Sequence, residues 1–482
     1  MTSKIKVDNI NKVSDDSNII KKCGTTTTIG SGASNPIVVD GSAVTLGRCG
    51  GTVALASGAT QTGFGRSGSV NWQTTPKTTT FTAADGEGYF VNTTSGAVTV
   101  NLPAGSSGAI VAVNDYANTA ASNNITIDSN GAEKIQGSTL NHLITTNGVT
   151  VTLVYVDGTQ GWKLVDTGEV SSFPQVSLFT TATVSGTGNT LTTAPDCANY
   201  KIATFTGPGT FCVSEVGNSP VNPSGGPANA SFLVIAGGGG GDSGGGAYGG
   251  GGGGAGGFRT DHPSAAGTIP LSVTAFPIQV GGGGTGGGAS TKAPGVNSIF
   301  STITSAGGGA GNNPGGSGGG AAKTNPNGTG NTPPTTPSQG NNGGTPAGLA
   351  GAGGGGAGGT GNPPSSGQAG GPGGNGAANT ITGGSVTRAG GGGGGTSTWS
   401  CTSLPKNGGV GGPGGGGDGG NVYNTNPAGP GINGCAGTVN TGSGGGAGAW
   451  CSGGPGGPSP LNQPGNGGNG GSGIVVIRYK FQ

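Results

Sequence analysis

The chain has 482 residues, of which 120 are glycine and 30 are proline, so these two types fill 150 positions. That share is typical of low-complexity sequence rather than of an ordinary globular domain. Only 7% of the residues are charged and the net charge is +1, which excludes a basic field for nucleic acid or acidic lipid. Two histidines and 5% aromatic residues supply few general bases and little apolar mass, so we expect no enzyme, no cofactor and no nucleic-acid partner.

Residues 1–75 are predicted to form a fibrous β stem. A short repeat in this region aligns Lys22-Cys23-Gly24 with Arg48-Cys49-Gly50 at an offset of 26 positions. Short strands joined by glycine turns cannot bury an apolar face alone, so such a stem needs partner chains wound around it. The first residues lack the long apolar stretch of a signal peptide, and we expect a soluble protein that is not exported.

The seven cysteines of the chain show no CxxC spacing. They therefore predict neither a zinc site nor a compact disulfide framework. Cys401, Cys435 and Cys451 share one neighbourhood of the sequence. The sequence does not decide whether two of these three cysteines form a disulfide, since a reducing compartment would oppose the bond.

Residues 76–168 are predicted to form a β-sandwich domain. Segments such as 98–102, 125–128 and 149–156 alternate apolar and polar residues and are separated by Asp-Gly, Ser-Gly and Asn-Gly turns. Helical periodicity is absent, so the fold class is mostly β with almost no α-helix. His142 lies between two such segments and is interpreted as a structural residue. Residues 169–199 are interpreted as a linker.

Residues 200–482 are predicted to form a glycine-rich domain built on a small antiparallel sheet. Its strand candidates include 200–205, 210–213, 231–236 and 473–479. The last two are apolar, β-branched and similar in length, and they bracket the whole glycine-rich insertion. Pairing them would close the domain by bringing the ends of that insertion together.

The long glycine runs allow two interpretations. Glycine has the largest ordering cost of any residue, which favours a flexible linker. The alternative is the extended polyproline-II geometry, called polyglycine II for glycine, in which rods without Cβ atoms approach closely and exchange backbone hydrogen bonds. Trp399, Trp450, Phe258 and Phe300 interrupt the runs where a spacer would need no aromatic residue. We therefore predict a polyglycine-II bundle, with Pro, Asn and Ser clusters as its reversals.

Two catalytic or metal-binding motifs occur within these runs. The sequence GDSGG at 241–245 matches the nucleophile signature of trypsin-like proteases, and residues 237–242 match one copy of a calcium-binding repeat. A trypsin-like active site would also need a positioned His and a buried Asp. A calcium-binding repeat structure would need tandem copies of its motif. Chance matches in a glycine tract explain both, so we assign no catalytic or metal-binding residue.

Glycine-poor segments between the runs are the candidate binding surface. Tryptophan and tyrosine stack on sugar rings, while Asn and Gln pair with hydroxyl groups, and exposed loops on a rigid scaffold commonly carry binding. The alternative is that the tryptophans fill the junction between sheet and bundle. The candidate residues are Trp399, Lys406, Tyr423, Asn424, Trp450 and Asn462.

Several phrases resemble glycine-rich tail-fibre proteins of marine bacteriophages, including those of cyanobacteria. They are YKIATFTGPGTF (200–211), FLVIAGGG (232–239), GGFRT (256–260) and GIVVIRYK (473–480), with SKIKVDNI (3–10) and TVALASG (52–58) upstream. The region from Phe81 through Trp162 also resembles virion modules of such phages.

This resemblance implies a homotrimeric virion protein that is assembled in the host cytoplasm. It would anchor to other tail or virion proteins through its N-terminus and touch a host polysaccharide or outer-membrane protein through its C-terminal domain. The first alternative is a purely structural virion component, such as a fibre shaft or a capsid decoration. An enzymatic tailspike is disfavoured, because no paired carboxylates stand out in a repetitive strand-rich domain.

Overall fold

The structure is a computed structural model that divides into two compact units, Met1–Ser69 and Val70–Gln482. It describes residues 70–166, 175–219, 225–263, 267–287, 291–398, 406–422, 432–451 and 463–482, and three strands before them. Within these residues the chain is all-β, as predicted, and holds no helix that could cross a lipid bilayer.

The first unit contains one antiparallel meander. Its strands are β1 (Asn9–Asn11), β2 (Asn18–Cys23) and β3 (Thr26–Ile29), paired in that order. Most of the predicted stem and of its repeat, including the whole second copy, lies outside the described residues.

The second unit begins with two sheets around one core. Its strands are β4 (Asn71–Lys77), β5 (Phe81–Thr82), β6 (Glu87–Val91), β7 (Val98–Asn101), β8 (Ile110–Asp115), β9 (Ile125–Asp128), β10 (His142–Ile144), β11 (Thr150–Asp157) and β12 (Gly161–Asp166). The sheet orders are β12-β11-β8-β6-β4 and β10-β9-β7-β5. Alternate residues of both sheets, such as Val111, Ile127 and Trp162, are fully buried between them.

The strand directions differ from those of an antiparallel sandwich with tight hairpins. The strands β4 to β9 alternate between the two sheets, and neighbours within each sheet are parallel. The chain therefore winds around the core as a coil, and only β10 to β12 add antiparallel pairs. The Asp85-Gly86 turn carries the chain from β5 in one sheet to β6 in the other, whereas the Asp157-Gly158 turn joins β11 and β12 within one sheet.

Two further sheets form the base of the glycine-rich part. The remaining strands are β13 (Thr181–Ser185), β14 (Thr190–Thr193), β15 (Tyr200–Phe205), β16 (Gly209–Glu215), β17 (Asn229–Ile235), β18 (Phe258–Thr260), β19 (Ile269–Pro270), β20 (Ala275–Gln279), β21 (Ser298–Phe300), β22 (Ile303–Ser305), β23 (Ala377–Asn379), β24 (Val386–Arg388), β25 (Ser397–Thr398), β26 (Trp450–Cys451), β27 (Gln463–Pro464) and β28 (Ile474–Lys480).

The two strands that bracket the glycine-rich insertion pair with each other. β17 and β28 are antiparallel neighbours at the centre of the sheet β14-β15-β28-β17-β18, with Ile235 opposite Ile474. The other large sheet has the order β13-β16-β20-β21-β22. A shared core that includes Phe205, Phe211 and Tyr479 lies between the two sheets.

The interpretation of residues 169–199 as a linker needs correction. Residues 181–185 and 190–193 form β13 and β14, the edge strands of the two base sheets. Both strands are rich in threonine and join the sheets through backbone pairing with β16 and β15. β13 alternates polar and apolar residues only through Ala182 and Val184, and β14 has the single apolar residue Leu191, so the signal for a strand is short and weak in both.

The glycine runs form rods that exchange backbone hydrogen bonds. In the rod 237–244, every third N–H donates to the same antiparallel neighbour: Gly238, Gly241 and Gly244 donate to the carbonyls of Gly471, Gly468 and Gly465 at 2.9, 2.9 and 3.0 Å. The remaining N–H groups of this rod form two further series at the same spacing, which donate to segments 293–296 and 251–254. The carbonyls of the rod accept hydrogen bonds from N–H groups of segments 284–287, 308–311 and 445–448. A partner that recurs every three residues is the signature of the three-residue turn of polyglycine II.

Glycine is required in these rods by close approach. A Cβ atom on Gly251 would lie far inside van der Waals contact of the carbonyl oxygen of Gly320, and one on Gly354 would meet the carbonyl of Gly253 in the same way. Backbone atoms have no alternative rotamer to adopt. The rods therefore form a core in which main-chain hydrogen bonds replace side-chain packing.

Candidate functional site

The rods run from the base sheets to an opposite end, which we call the distal end. Gly237 lies two residues after the end of β17, and the same rod reaches its other end at Gly244 beside Gly465. There β25, β26 and β27 form a small sheet, in which Ser397 pairs with Trp450 and Trp450 with Pro464. Rods that present almost no side chain thus lead to a short sheet that carries Trp450.

The structure places two of the six candidate residues. Trp399, Tyr423, Asn424 and Asn462 lie outside the described residues. Lys406 is half-buried at the distal end, and its backbone exchanges two 3.0 Å hydrogen bonds with Val422. Trp450 is only 4% exposed.

From the sequence, Trp450 is either a residue that stacks on a sugar ring or a packing residue, and its burial distinguishes between these two roles. In this arrangement the indole offers almost no stacking face to solvent, which favours the packing interpretation over the binding one. It fills the distal sheet rather than the junction with the base sheets that the alternative interpretation named. Its neighbour Cys451 is fully buried and disulfide-bonded, Cys435 is free, and Cys401 lies outside the described residues.

Two contacts between side chains at the distal end could not be predicted from the sequence. Lys292 Nζ lies 2.7 Å from Asp242 Oδ2, and Lys323 Nζ lies 4.1 Å from the ring centroid of Tyr248. Asp242 is the acidic residue of both chance motifs, and its carboxylate contacts a lysine. Among the described residues no group of three or more His, Cys, Asp or Glu could hold a metal ion.

A cleft of about 500 Å³ lies where the base sheets meet the bundle. One wall is β18 and the residues after it, which contribute Phe258, Arg259 and Asp261. Arg259 Nη1 donates to the carbonyl of Thr304 at 3.3 Å. The carboxylate of Asp261 accepts from the backbone N–H of Phe232 at 2.7 Å, and from the N–H and hydroxyl of Thr268 at 2.7 and 2.8 Å. Both charged side chains are therefore held in place by groups from other strands.

The opposite wall is the loop 331–339, which contributes Thr336, Pro337 and Ser338. Asn331 Oδ1 accepts from the N–H and hydroxyl of Thr335, both at 3.0 Å, and from the N–H of Gln339 at 3.2 Å. Gln339 is 1% exposed; its side chain donates to the carbonyl of Pro333 and accepts from the N–H of Ala306, both at 2.8 Å. This loop is preorganised by its own side chains.

A charged cluster lies near the cleft. Arg478 Nη1 and Nη2 donate to the two carboxylate oxygens of Asp196 at 3.0 and 2.9 Å, and this hydrogen bonding lowers the pKa of Asp196. Burial, and then the charge of Arg478, lowers the pKa of His262. Burial also lowers the pKa of Arg388. The cluster ties sheet to bundle, because Arg478 Nη1 also donates to the carbonyl of Ile381 at 3.3 Å.

Comparison with known families identifies the C-terminal part. A family model described as a glycine-rich domain matches residues 213–480, more than half of the chain. The chain belongs to this glycine-rich domain family. The match begins within β16 and ends in β28, so the glycine-rich domain takes in the bundle, the cleft and the distal end. No curated protein is significantly similar to the chain.

Proposed function

We propose that the protein is a non-enzymatic tail-fibre adhesin of a bacteriophage, which recognises the host cell surface during adsorption. Membership of the glycine-rich domain family and the sequence phrases that resemble phage fibres support this proposal. In this role the protein is a homotrimer located in the virion. Its N-terminal region joins other tail or virion proteins, and its glycine-rich domain faces the host.

One observation carries the proposal: the bundle is held together by main-chain hydrogen bonds and is almost bare of side chains. Rods such as 237–244 donate to three neighbouring segments and accept from three more, which fixes the scaffold through its main chain. Such rods cannot discriminate one surface from another, because discrimination needs side chains. The segments at the bundle's two ends carry varied side chains, as expected of a scaffold that displays recognition loops.

Adsorption inhibition tests this function. Purified protein added to host cells before phage should reduce the number of infected cells, because it occupies the receptor. The same protein after heat denaturation serves as the control and should leave infection unchanged. If the native protein binds virions but gives no protection at saturating concentration, it is a structural virion component and not the adhesin.

A further inference from the structure

We infer that the cleft between β18 and the loop 331–339 binds a neutral sugar residue of a glycan. This deepens the proposed function, on which its biological meaning rests, by naming a receptor class and a site. A volume of about 500 Å³ falls in the range of small-ligand sites, and rigid walls on both sides lower the ordering cost of binding.

The cleft offers both hydrogen-bond donors and hydrogen-bond acceptors. A guanidinium has five N–H donors, and Arg259 uses one of them on Thr304, its single acceptor among the described residues. A carboxylate accepts about four hydrogen bonds, and Asp261 receives three. A donor and an acceptor lining one cleft match the hydroxyl groups of a sugar, each of which donates and accepts.

The charges of the cleft select against an ionised ligand. Arg259 and Asp261 are the two charged residues that line it, and their formal charges cancel. An anionic sugar would meet the carboxylate, and a cationic ligand would meet the guanidinium. The half-buried ring of Phe258 supplies an apolar surface for the C–H face of a pyranose, and Thr336 and Ser338 place hydroxyl groups on the exposed opposite wall.

Saturation-transfer NMR on the full chain tests this inference, with glucose, galactose, mannose and N-acetylglucosamine as separate probes. We expect transfer to at least one of the four sugars. Arg259→Ala should weaken binding of that sugar at least about tenfold, since it removes a charged hydrogen-bond donor. Ala377→Phe should abolish it, because Ala377 lines the cleft and a larger ring would fill the space.

Val386→Phe is the matched control. Val386 is 37% exposed on β24, which pairs with the strand of Ala377, and it does not line the cleft. Transfer should therefore survive this change. Absence of transfer to all four sugars, or transfer that survives both cleft variants, would overturn the inference. Loss in Val386→Phe equal to that in Ala377→Phe would overturn the assignment to the cleft.

The two proposals fail separately. If native protein blocks adsorption but no sugar binds, the adhesin function stands and the sugar site is wrong. If a sugar binds in the cleft but native protein does not block adsorption, the site stands and the proposed function is wrong.

Discussion

Arg478 and Asp196 form a bidentate ion pair across 282 residues of sequence, with N–O distances of 2.9 and 3.0 Å. Arg478 belongs to the last strand of the chain and is 8% exposed, whereas Asp196 lies in the turn between β14 and β15. The same guanidinium also lies 5.0 Å from the ring centroid of Tyr200. One buried cation therefore holds an edge hairpin and the end of the chain together.

Removing the carboxylate of this pair should destabilise the glycine-rich domain. Asp196→Ala leaves a buried guanidinium without its counter-ion, and we expect a loss of about 1–3 kcal/mol in the free energy of unfolding. Glu215→Ala, at an exposed position on β16, should change it by less than about 0.5 kcal/mol. Urea unfolding at neutral pH measures both. Equal effects would show that the pair contributes nothing specific.

The same pair predicts a response to acid. The pKa of Asp196 in the folded chain lies below its ordinary value of 3.8, chiefly because of the hydrogen bonds from Arg478. Its contribution to stability is therefore complete above the unfolded pKa and is lost as the pH falls through the folded one. Asp196→Asn should remove this part of the acid response, which melting curves below pH 4 can test.

Replacing a glycine by alanine should destabilise the bundle at positions inside it and should be tolerated at positions on its surface. Gly251→Ala would drive a methyl group into the carbonyl of Gly320, and we expect misfolding or a large fall in melting temperature. Gly282→Ala is the control, because a Cβ there meets nothing within 4 Å. Melting and solubility of the two variants measure the contrast. Tolerance of Gly251→Ala would contradict the packing of rods described above.

His142 should make the middle region sensitive to mild acid. Burial lowers its pKa from 6.5 to about 4, so the unfolded chain binds a proton that the folded chain excludes. Stability should fall as the pH drops from 6.5 toward 4, by about 2 kcal/mol at pH 5. Urea unfolding at pH 7 and pH 5 tests this, with His142→Gln as the non-titrating comparison. An equal pH response in both proteins would exclude His142 as its source.

Trp450→Ala should act on folding first. The side chain is 4% exposed, and truncating a buried tryptophan typically costs about 3–5 kcal/mol. We expect a lower melting temperature, with reduced adsorption as a consequence. Val410→Ala, at a 67% exposed position, is the control for a surface truncation and should leave melting unchanged. Normal melting of Trp450→Ala together with lost adsorption would return this residue to the binding surface.

The sequence was informative where a local rule determines structure. The pairing of β17 with β28 followed from two matched apolar segments, and the rods followed from glycine runs interrupted by aromatic residues. The parallel coil of β4 to β9 did not follow, because apolar alternation identifies the buried face of a strand but not its direction or its neighbours.

The cleft could not be predicted for a different reason. Arg259 and Thr336 are 77 positions apart in the sequence, and they line the same cleft only because the glycine runs between them fold back into the bundle. Arg259 lies in the phrase GGFRT (256–260), but neither residue belongs to a motif that indicates binding. Among the distal residues, Lys406 and Trp450 were identified from composition, but composition does not give burial, which depends on the small sheet around Trp450.

The recurrence of hydrogen-bond partners at every third residue also constrains how such a chain can vary in length. Loss of one glycine from a rod would turn all later N–H groups by a third of a turn, toward neighbours whose carbonyls are already occupied. Loss of three would shorten the rod by one turn and keep each donor on its side. The segments between rods have no three-residue repeat of hydrogen-bond partners to preserve. Viable length changes within rods should thus come in multiples of three, while the connecting segments are free to change in any step and carry new surfaces on an unchanged scaffold.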